Sequence, residues 1–464
     1  MVKFTLFFFS LSLLIILHEF GHFITARWFK ARVDKFYLFF DFLFPFPGIA
    51  KFALFKKKIG ETEYGIGWFP FGGYVDIAGM TADSEEDKNK KDKDAKEGEE
   101  GKDAPEEKKE PKPPGKHEFR GKKPYQRLII LAGGITVNAL LAIVIYSMVS
   151  WAYGEAYLPV KNAKYGMAVD SVAMGIGLKD GDKLLSVDNK PMESFQDAKV
   201  AIILDKAKTI QVDRNGEKVN ISVPDGFDQT VVEKDVKVLF DARFPFVVDS
   251  IIPGMPAAKS GMMKGDSIVS IDGDTLVYFQ QIARKLSGYA NKTAHVGIVR
   301  NGSWKTIDIA INGEGKMGVL PYAEDRYMTL NTKEYGFFSA WGRGFQRTGE
   351  VLVNYVKQLR LLFTKAGAKK IGGFATIGGL FPSTWDWEAF WNITAFLSVI
   401  LAFMNLLPIP VLDGGYILFV LWEMITGKKV SDKFMQKALT IGMYIVLGLL
   451  IFANGNDILR AFRH

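Results

Sequence analysis

Long apolar runs and short alternating ones divide the chain into two kinds of territory. Residues 4–26 are almost wholly apolar, long enough for a membrane-spanning helix, which needs about 20 residues. Three later runs read the same way: 128–151, 390–407 and 438–452, the last short unless Met435 or Asn454 extends it. Residues 49–55 and 64–71 are short apolar segments flanking Lys56, Lys57, Lys58 and Gly60. They predict a β-hairpin with a charged turn. A hairpin this apolar, between two membrane helices, is expected to dip into the bilayer against protein, because open strand edges are not tolerated in lipid. An ordinary cytosolic hairpin is the alternative. Residues 337–363 carry a helical apolar stripe (Val351, Leu352, Tyr355, Val356, Leu359, Leu362), but Arg343, Arg347, Lys357 and Arg360 make the segment too polar to span. It is expected on the membrane surface or over the core. Residues 372–379 are glycine-rich and read as flexible.

Residues 157–311 are soluble in character and contain a repeat. GLKDGDKLLSVD from Gly177 to Asp188 matches GMMKGDSIVSID from Gly261 to Asp272. A short β run precedes each copy (168–172; 246–252), and a helix-like stretch follows (194–204; 278–286). Two strands then flank a turn, Arg214-Asn215-Gly216 in one copy and Arg300-Asn301-Gly302 in the other. Asn-Gly is a strong hairpin signal. Two tandem domains of one fold are expected, and the pair resembles PDZ domains, which bind extended peptides by adding a strand to a sheet edge. The alternative is that they only fill space or exclude bulky substrates.

Residues 81–116 are rich in Lys, Glu, Asp and Pro with almost no apolar positions, so a disordered linker is expected. The domains are then 1–80 (first membrane helix and hairpin), 81–123 (charged cytoplasmic linker), 124–154 (second membrane helix), 155–238 and 239–322 (the repeats), 323–389 (amphipathic helix and glycine-rich connection) and 390–464 (third and fourth membrane helices). The fold class is a multi-pass α-helical membrane protein with four transmembrane helices, a membrane-associated β-hairpin and two tandem extracytoplasmic PDZ domains (α+β).

Composition changes this picture in two ways. The net charge of +8 over 464 residues comes from basic residues beside apolar segments, not interleaved with aromatics, so a lipid bilayer rather than nucleic acid is the expected partner. There is no cysteine, which excludes disulfides and thiolate metal sites. Any zinc site needs His and carboxylate ligands.

The chemistry starts in the first helix. His18, Glu19 and His22 form H-E-x-x-H inside the apolar run. Side chains four apart share a helix face, so both imidazoles can grip one ion, and Glu19 can reach a water on it. Ionisable groups at that depth cost roughly 2.5–3.5 kcal/mol each, which argues for a use beyond packing. Catalytic zinc usually keeps three protein ligands and an open position. His117, His295 and His464 lie in poor places, so a carboxylate is needed. Asp413 stands out in Asn405-Leu-Leu-Pro-Ile-Pro-Val-Leu-Asp413-Gly-Gly. Pro408 and Pro410 break the preceding helix, and Gly414 and Gly415 would let backbone approach a metal. Taken alone, capping of a helix over 416–425 explains Asp413 equally well. Beside an H-E-x-x-H lacking its third ligand, coordination is preferred. Asn138, in the second membrane run, reads either as a hydrogen-bonding residue between helices or as a packing contact.

Depth agrees. His18 lies about 22 Å along the helix from Lys3, toward the far side of a roughly 30 Å hydrocarbon core. That side carries the basic residues of 27–58 and of 427–437, hence is cytoplasmic. Four spans then put the repeats and both termini on the other face.

The whole constellation resembles the site-2 proteases, in their regulator-of-sigma-E branch, over nearly the full length: HEFGH, Gly72-Gly73-Tyr74-Val75 after the hairpin, Ala132-Gly133-Gly134 with Asn138, two PDZ-like repeats, and 405–415. One departure is the absence of a Gly-Pro before Asn138; another is the long charged linker. The resemblance implies Zn2+ at His18, His22 and Asp413, Glu19 as base, and Asn405 holding the substrate backbone. It implies a hairpin edge pairing with the unwound substrate helix and PDZ domains that screen by size. Asn138, Gly72, Gly73 and Tyr74 join Asn405 as expected substrate-binding residues. It also implies a bacterial inner-membrane monomer acting on single-pass membrane proteins, either an anti-sigma factor or signal peptide remnants. The competing expectations are a non-enzymatic membrane PDZ scaffold or chaperone, and a zinc protease acting on soluble tails.

Overall fold

The structure is a computed structural model, and it describes residues 2–43, 49–70, 72–80 and 115–462. Most of the charged linker lies outside the described residues, as does Phe71 at the end of the expected hairpin. The chain forms two compact units, Met1–Tyr153 with Tyr335–Tyr355 and Ile371–His464, and Gly154–Glu334 with Val356–Lys370.

In the first unit, four described helices are long and apolar enough to cross a membrane. They are α1 (Val2–Trp28), α2 (Pro124–Tyr153), α5 (Trp387–Leu406) and α7 (Asp432–Ala461). Between α2 and α5 lie the amphipathic α3 (Phe337–Leu362) and the short α4 (Phe374–Gly379); α6 (Asp413–Thr426) precedes α7. Their ends follow local chemistry. Pro124 starts α2, where its missing N–H costs nothing. The Asp386 side chain caps α5 on the Ala389 N–H, and Ser431 caps α7 on Phe434. Gly427, in the left-handed region at φ 69°, stops α6. The fourth spanning helix extends past both Met435 and Asn454, which resolves its apparent shortness.

Apolar packing fixes four of these helices around one another. Ala26, Ile130, Leu131, Ile417 and Val420 join α1, α2 and α6. Ala142, Ile145, Tyr146, Ala395 and Val399 join α2 to α5. Where α1 and α2 cross, glycines meet: a Cβ on Gly21 would lie 2.3 Å from the Gly133 carbonyl oxygen, and one on Gly133 2.4 Å from that of Gly21. Small residues at a crossing let backbones touch.

The expected hairpin is part of a larger sheet. Strands β1 (Val33–Leu38), β2 (Ala53–Ile59), β3 (Thr62–Gly67) and β4 (Tyr74–Ile77) stand in the order β2-β3-β1-β4. Strands β2 and β3 are antiparallel, but Lys56, Lys57 and Lys58 lie within β2, paired with Gly65, Tyr64 and Glu63. The turn is at Gly60, in the left-handed region at φ 62°. Strand β1 pairs parallel with β3 and antiparallel with β4.

Residues 372–379 are not a loose connection. They include α4, which is pinned to α7: Asp457 accepts from the Gly373 and Thr376 N–H groups, each at 3.0 Å, and Asn454 Oδ1 from Phe374 N–H at 3.2 Å. A helix needs polar partners for its free N–H groups, and these come from a segment some eighty residues on. The second half of α3 also differs from expectation. From Val356 onward that half belongs to the second unit, within which Lys357 and Arg360 pair with Asp205 and Asp228 rather than standing free for lipid headgroups.

The second unit holds two copies of one fold. Each has a four-stranded sheet with the same order: Lys190–Pro191, Lys183–Val187, Thr209–Arg214, Glu217–Ser222 in the first, and Asp274–Thr275, Ser267–Ile271, Thr293–Arg300, Ser303–Ala310 in the second. Both hairpin turns have two positive-φ residues, Asn215 and Gly216 (56°, 91°) and Asn301 and Gly302 (51°, 75°), the tight turn that matches strand twist. The helices Phe195–Ile203 and Phe279–Ser287 fall where expected. The first β run is shorter than expected, because Ser171–Gly175 is helical with Asp170 as its cap. Strand Phe240–Ala242 pairs with Met167–Val169 of the first copy, beyond the expected boundary at 238.

Candidate metal centre

Helix α1 sets His18 and His22 one turn apart on its buried face, their Nε2 atoms 3.3 Å from each other. Each ring is held by its other nitrogen. His22 Nδ1 lies 2.9 Å from the Ile130 carbonyl oxygen, and His18 Nδ1 lies 3.1 Å from Asn138 Nδ2, both on α2. The Nε2 atoms are thereby turned toward one point.

Asp413 occupies that point. Its Oδ2 is 3.2 Å from His18 Nε2 and 3.3 Å from His22 Nε2, and one ligand atom from each residue lies within 4.8 Å of the others. Capping does not account for the carboxylate. Leu412 holds the cap position of α6, Asp413 is the first helical residue, and no side chain caps the helix. Asp413 Oδ2 is buried and has no hydrogen-bond partner among the described residues. A buried carboxylate oxygen without a partner is costly, and a cation would satisfy it. Two imidazole nitrogens and one carboxylate oxygen, with no thiolate, fit zinc with an open position.

Gly414 and Gly415 serve a different purpose from the one expected. Cβ atoms there would lie 2.3 Å from the Leu407 carbonyl oxygen and 2.5 Å from that of Ile409. The glycines let α6 fold back on the proline-broken turn, and so aim Asp413, rather than bringing backbone to a metal. Three further residues take roles here that their sequence context does not announce. A Cβ on Gly134 would sit 2.5 Å from His22 Nε2 and 2.6 Å from His18 Cε1, so this glycine leaves room for the imidazoles. Arg127 of α2 and Glu423 of α6 form a buried ion pair at 2.6 Å that ties the Asp413 helix to the helix supporting both rings. The available signal was one charge in each of two otherwise apolar stretches, an arrangement that demands a partner.

Among the other expected site residues, Asn405 Nδ2 lies 3.4 Å from His18 Nε2. Glu19 accepts a hydrogen bond from the Val75 backbone, and a Cβ on Gly73 would reach 3.4 Å from its Cγ. The sheet edge therefore runs beside Glu19. The Tyr74 side chain turns away: its hydroxyl donates to Asp41 at 3.0 Å, and its ring stacks on Tyr37. Burial, with the Asp41 carboxylate, pushes its phenol well above the usual range. Gly72 packs on the Phe40 ring.

Residues 6–449 match peptidase family M50. The chain is 26% identical to the regulator of sigma-E protease RseP of Escherichia coli K12 over 485 residues, covering 97% of each. It is 24% identical to the regulator of sigma E protease of Haemophilus influenzae, again over 97% of each, and 26% identical to protease RseP of Yersinia pestis, over 97% of each. With the family match running almost end to end, the chain belongs to peptidase family M50, the zinc-dependent site-2 proteases.

Proposed function

We propose that the chain hydrolyses peptide bonds inside the membrane-spanning segments of single-pass membrane proteins, with His18, His22 and Asp413 holding zinc and Glu19 as general base. The observation that carries this reading is the convergence of three ligand atoms from α1 and α6 on one buried point, with Asp413 Oδ2 otherwise unsatisfied. When bound there, zinc supplies Lewis acidity, which lowers the pKa of a water to about 7 and polarises a carbonyl. Glu19, one residue along α1, takes the proton from the attacking water and returns it to the leaving amine. Asn405, beside His18 Nε2, orients the substrate backbone.

A peptide bond within a helix is closed off by its hydrogen bonds, so the substrate must unwind. Strand β4 is an edge of its sheet, and Gly73 beside it packs against Glu19. A substrate strand added there is presented to the base, through the backbone of Gly72, Gly73 and Tyr74 rather than the Tyr74 ring. The two repeats act as PDZ domains, 155–244 and 245–322, that screen substrates by size; their matched strand order and turns support this. The basic residues near Arg27, Lys56–Lys58 and Lys428–Lys429 favour a bacterial inner membrane with that side cytoplasmic, and the repeats and termini outside. Anti-sigma factors and signal peptide remnants are the substrate classes, and a monomer suffices. A non-enzymatic scaffold is not favoured, because it leaves the buried carboxylate unexplained.

The test is cleavage by the purified protein of a fusion carrying one membrane-spanning segment. We expect cleavage within that segment, lost on chelation and restored by zinc. Cleavage that persists after the apolar segment is deleted would instead assign the protease to soluble tails.

A further inference from the structure

The residue expected to touch substrate from α2 is better placed to serve the metal ligand. Asn138 is fully buried, at 0% exposure, which leaves no surface for a substrate backbone. Its side-chain amide lies 3.1 Å from His18 Nδ1. Its Oδ1 is buried and has no hydrogen-bond partner among the described residues. Its backbone carbonyl accepts from the Ser398 hydroxyl of α5 at 2.8 Å, and Ser398 is buried as well.

These contacts have one reading that gives both the ring and the orphaned oxygen a partner. An imidazole that offers its Nε2 lone pair to a cation carries its proton on Nδ1, so Nδ1 needs an acceptor. His22 has one, the Ile130 carbonyl. Among the described residues, His18 Nδ1 faces only the Asn138 amide. The two ends of an amide have the same shape, and turning it over brings Oδ1 to His18 Nδ1–H. The orphaned oxygen then gains a donor and the ring gains its acceptor. We propose that Asn138 is a positioning residue for His18: its side-chain oxygen accepts from Nδ1–H, which fixes the ring and the tautomer that leaves Nε2 free for zinc. Ser398 holds the Asn138 backbone, so α5 is coupled to the ring through α2. The inference rests on His18 being a zinc ligand.

Acceptors of this kind set ligand orientation and basicity, and their loss typically weakens metal binding about 10–100-fold. The experiment uses the full chain in detergent, with zinc affinity measured by chelator competition, absorption of the cobalt-substituted protein, and KM and kcat on a membrane-spanning fusion. Asn138→Leu, nearly isosteric without an acceptor, is expected to weaken zinc binding about 10–100-fold and to shift the cobalt bands. Asn138→Asp, which keeps an acceptor, is expected to bind zinc at least as tightly as the wild type with unchanged bands. Should Asn138→Leu fail to fold, Asn138→Ala takes its place against Asn138→Asp. Wild-type zinc affinity in the leucine or alanine variant, with only KM raised, would return Asn138 to the substrate site and overturn the proposal. So would an aspartate variant that binds zinc as poorly as the leucine one. A wild-type chain that binds no zinc would instead defeat the reading of the metal centre.

Discussion

Asp182 and Asp266 of the repeats and Asp413 of the membrane unit all sit beside nitrogen-bearing side chains, and they are treated in two opposite ways. In the repeats, Asp182 accepts from Arg214 Nε and Nη2 at 2.8 Å and from the Lys179 N–H, and Asp266 accepts from Arg300 at 2.7 Å through both nitrogens and from Met263 N–H. Each of these acids is closed: both oxygens are engaged, and the matching pair in the sister copy shows the arrangement to be structural. In the membrane unit, Asp413 meets two imidazoles, yet its Oδ2 has no hydrogen-bond partner among the described residues. Buried polar groups are normally satisfied. The closed pairs hold a fold together, whereas the open one waits for a ligand. Burial and charge alone do not separate these cases; completeness of the hydrogen bonding does.

The comparison can be broken most sharply at the base. Glu19→Gln removes the proton acceptor and leaves the three ligand atoms in place. Turnover of a membrane-spanning substrate is expected to fall by at least about 10²–10⁴-fold, with metal content by elemental analysis unchanged. Loss of zinc together with activity would make Glu19 part of the open site rather than a group acting beside it.

Gly134→Ala tests the space kept for the imidazoles. Its Cβ would lie 2.5 Å from His22 Nε2, so one ring must move. Zinc affinity is expected to drop about 10–100-fold, as when a ligand's support is lost, and chelator competition reads it directly. Affinity equal to the wild type would show the rings to be less confined than the packing implies.

A closed pair should respond in stability and not in metal. Arg300→Met leaves Asp266 buried without its partner, which typically costs about 3–5 kcal/mol. Urea unfolding followed by limited proteolysis of the second repeat should register the loss, while zinc content stays at the wild-type level.

The smallest effect is in pH. Burial alone would raise the Asp266 carboxyl, but hydrogen bonds from Arg300 and Met263 hold it below its ordinary value. A carboxylate depressed in the folded state adds stability above its unfolded pKa of about 3.9, and that contribution is lost as pH falls through the lower folded value. The second repeat should therefore weaken below about pH 4, and Asp266→Asn should flatten that part of the profile.

Much of this was legible from residues alone because the signals are local. The H-E-x-x-H spacing, the four apolar runs and the repeated glycine–Asp segments each lie within a few turns of chain. Asp413 was found by asking what the two imidazoles lacked. What escaped was non-local. Strand β1 pairs parallel with β3, and a parallel pair requires a crossover that no turn motif announces. Lys56–Lys58 looked like a turn because of their charge, although an exposed edge strand carries lysines readily. Residues 372–379 looked loose because their partners, Asn454 and Asp457, lie eighty residues on. Gly134 read as part of a small-residue motif and Asn138 as a helix-packing, hydrogen-bonding or substrate-binding residue, since their contacts with the imidazoles exist only once α1 and α2 cross.

Whether α1 and α6 together build one zinc site is read straight from metal analysis of the purified protein. The wild type should hold about one zinc per chain, as expected for three protein ligands and one open position, and Asp413→Ala should hold essentially none after dialysis while keeping its fold. A wild type without zinc, or an Asp413→Ala protein that retains it fully, would contradict the claim.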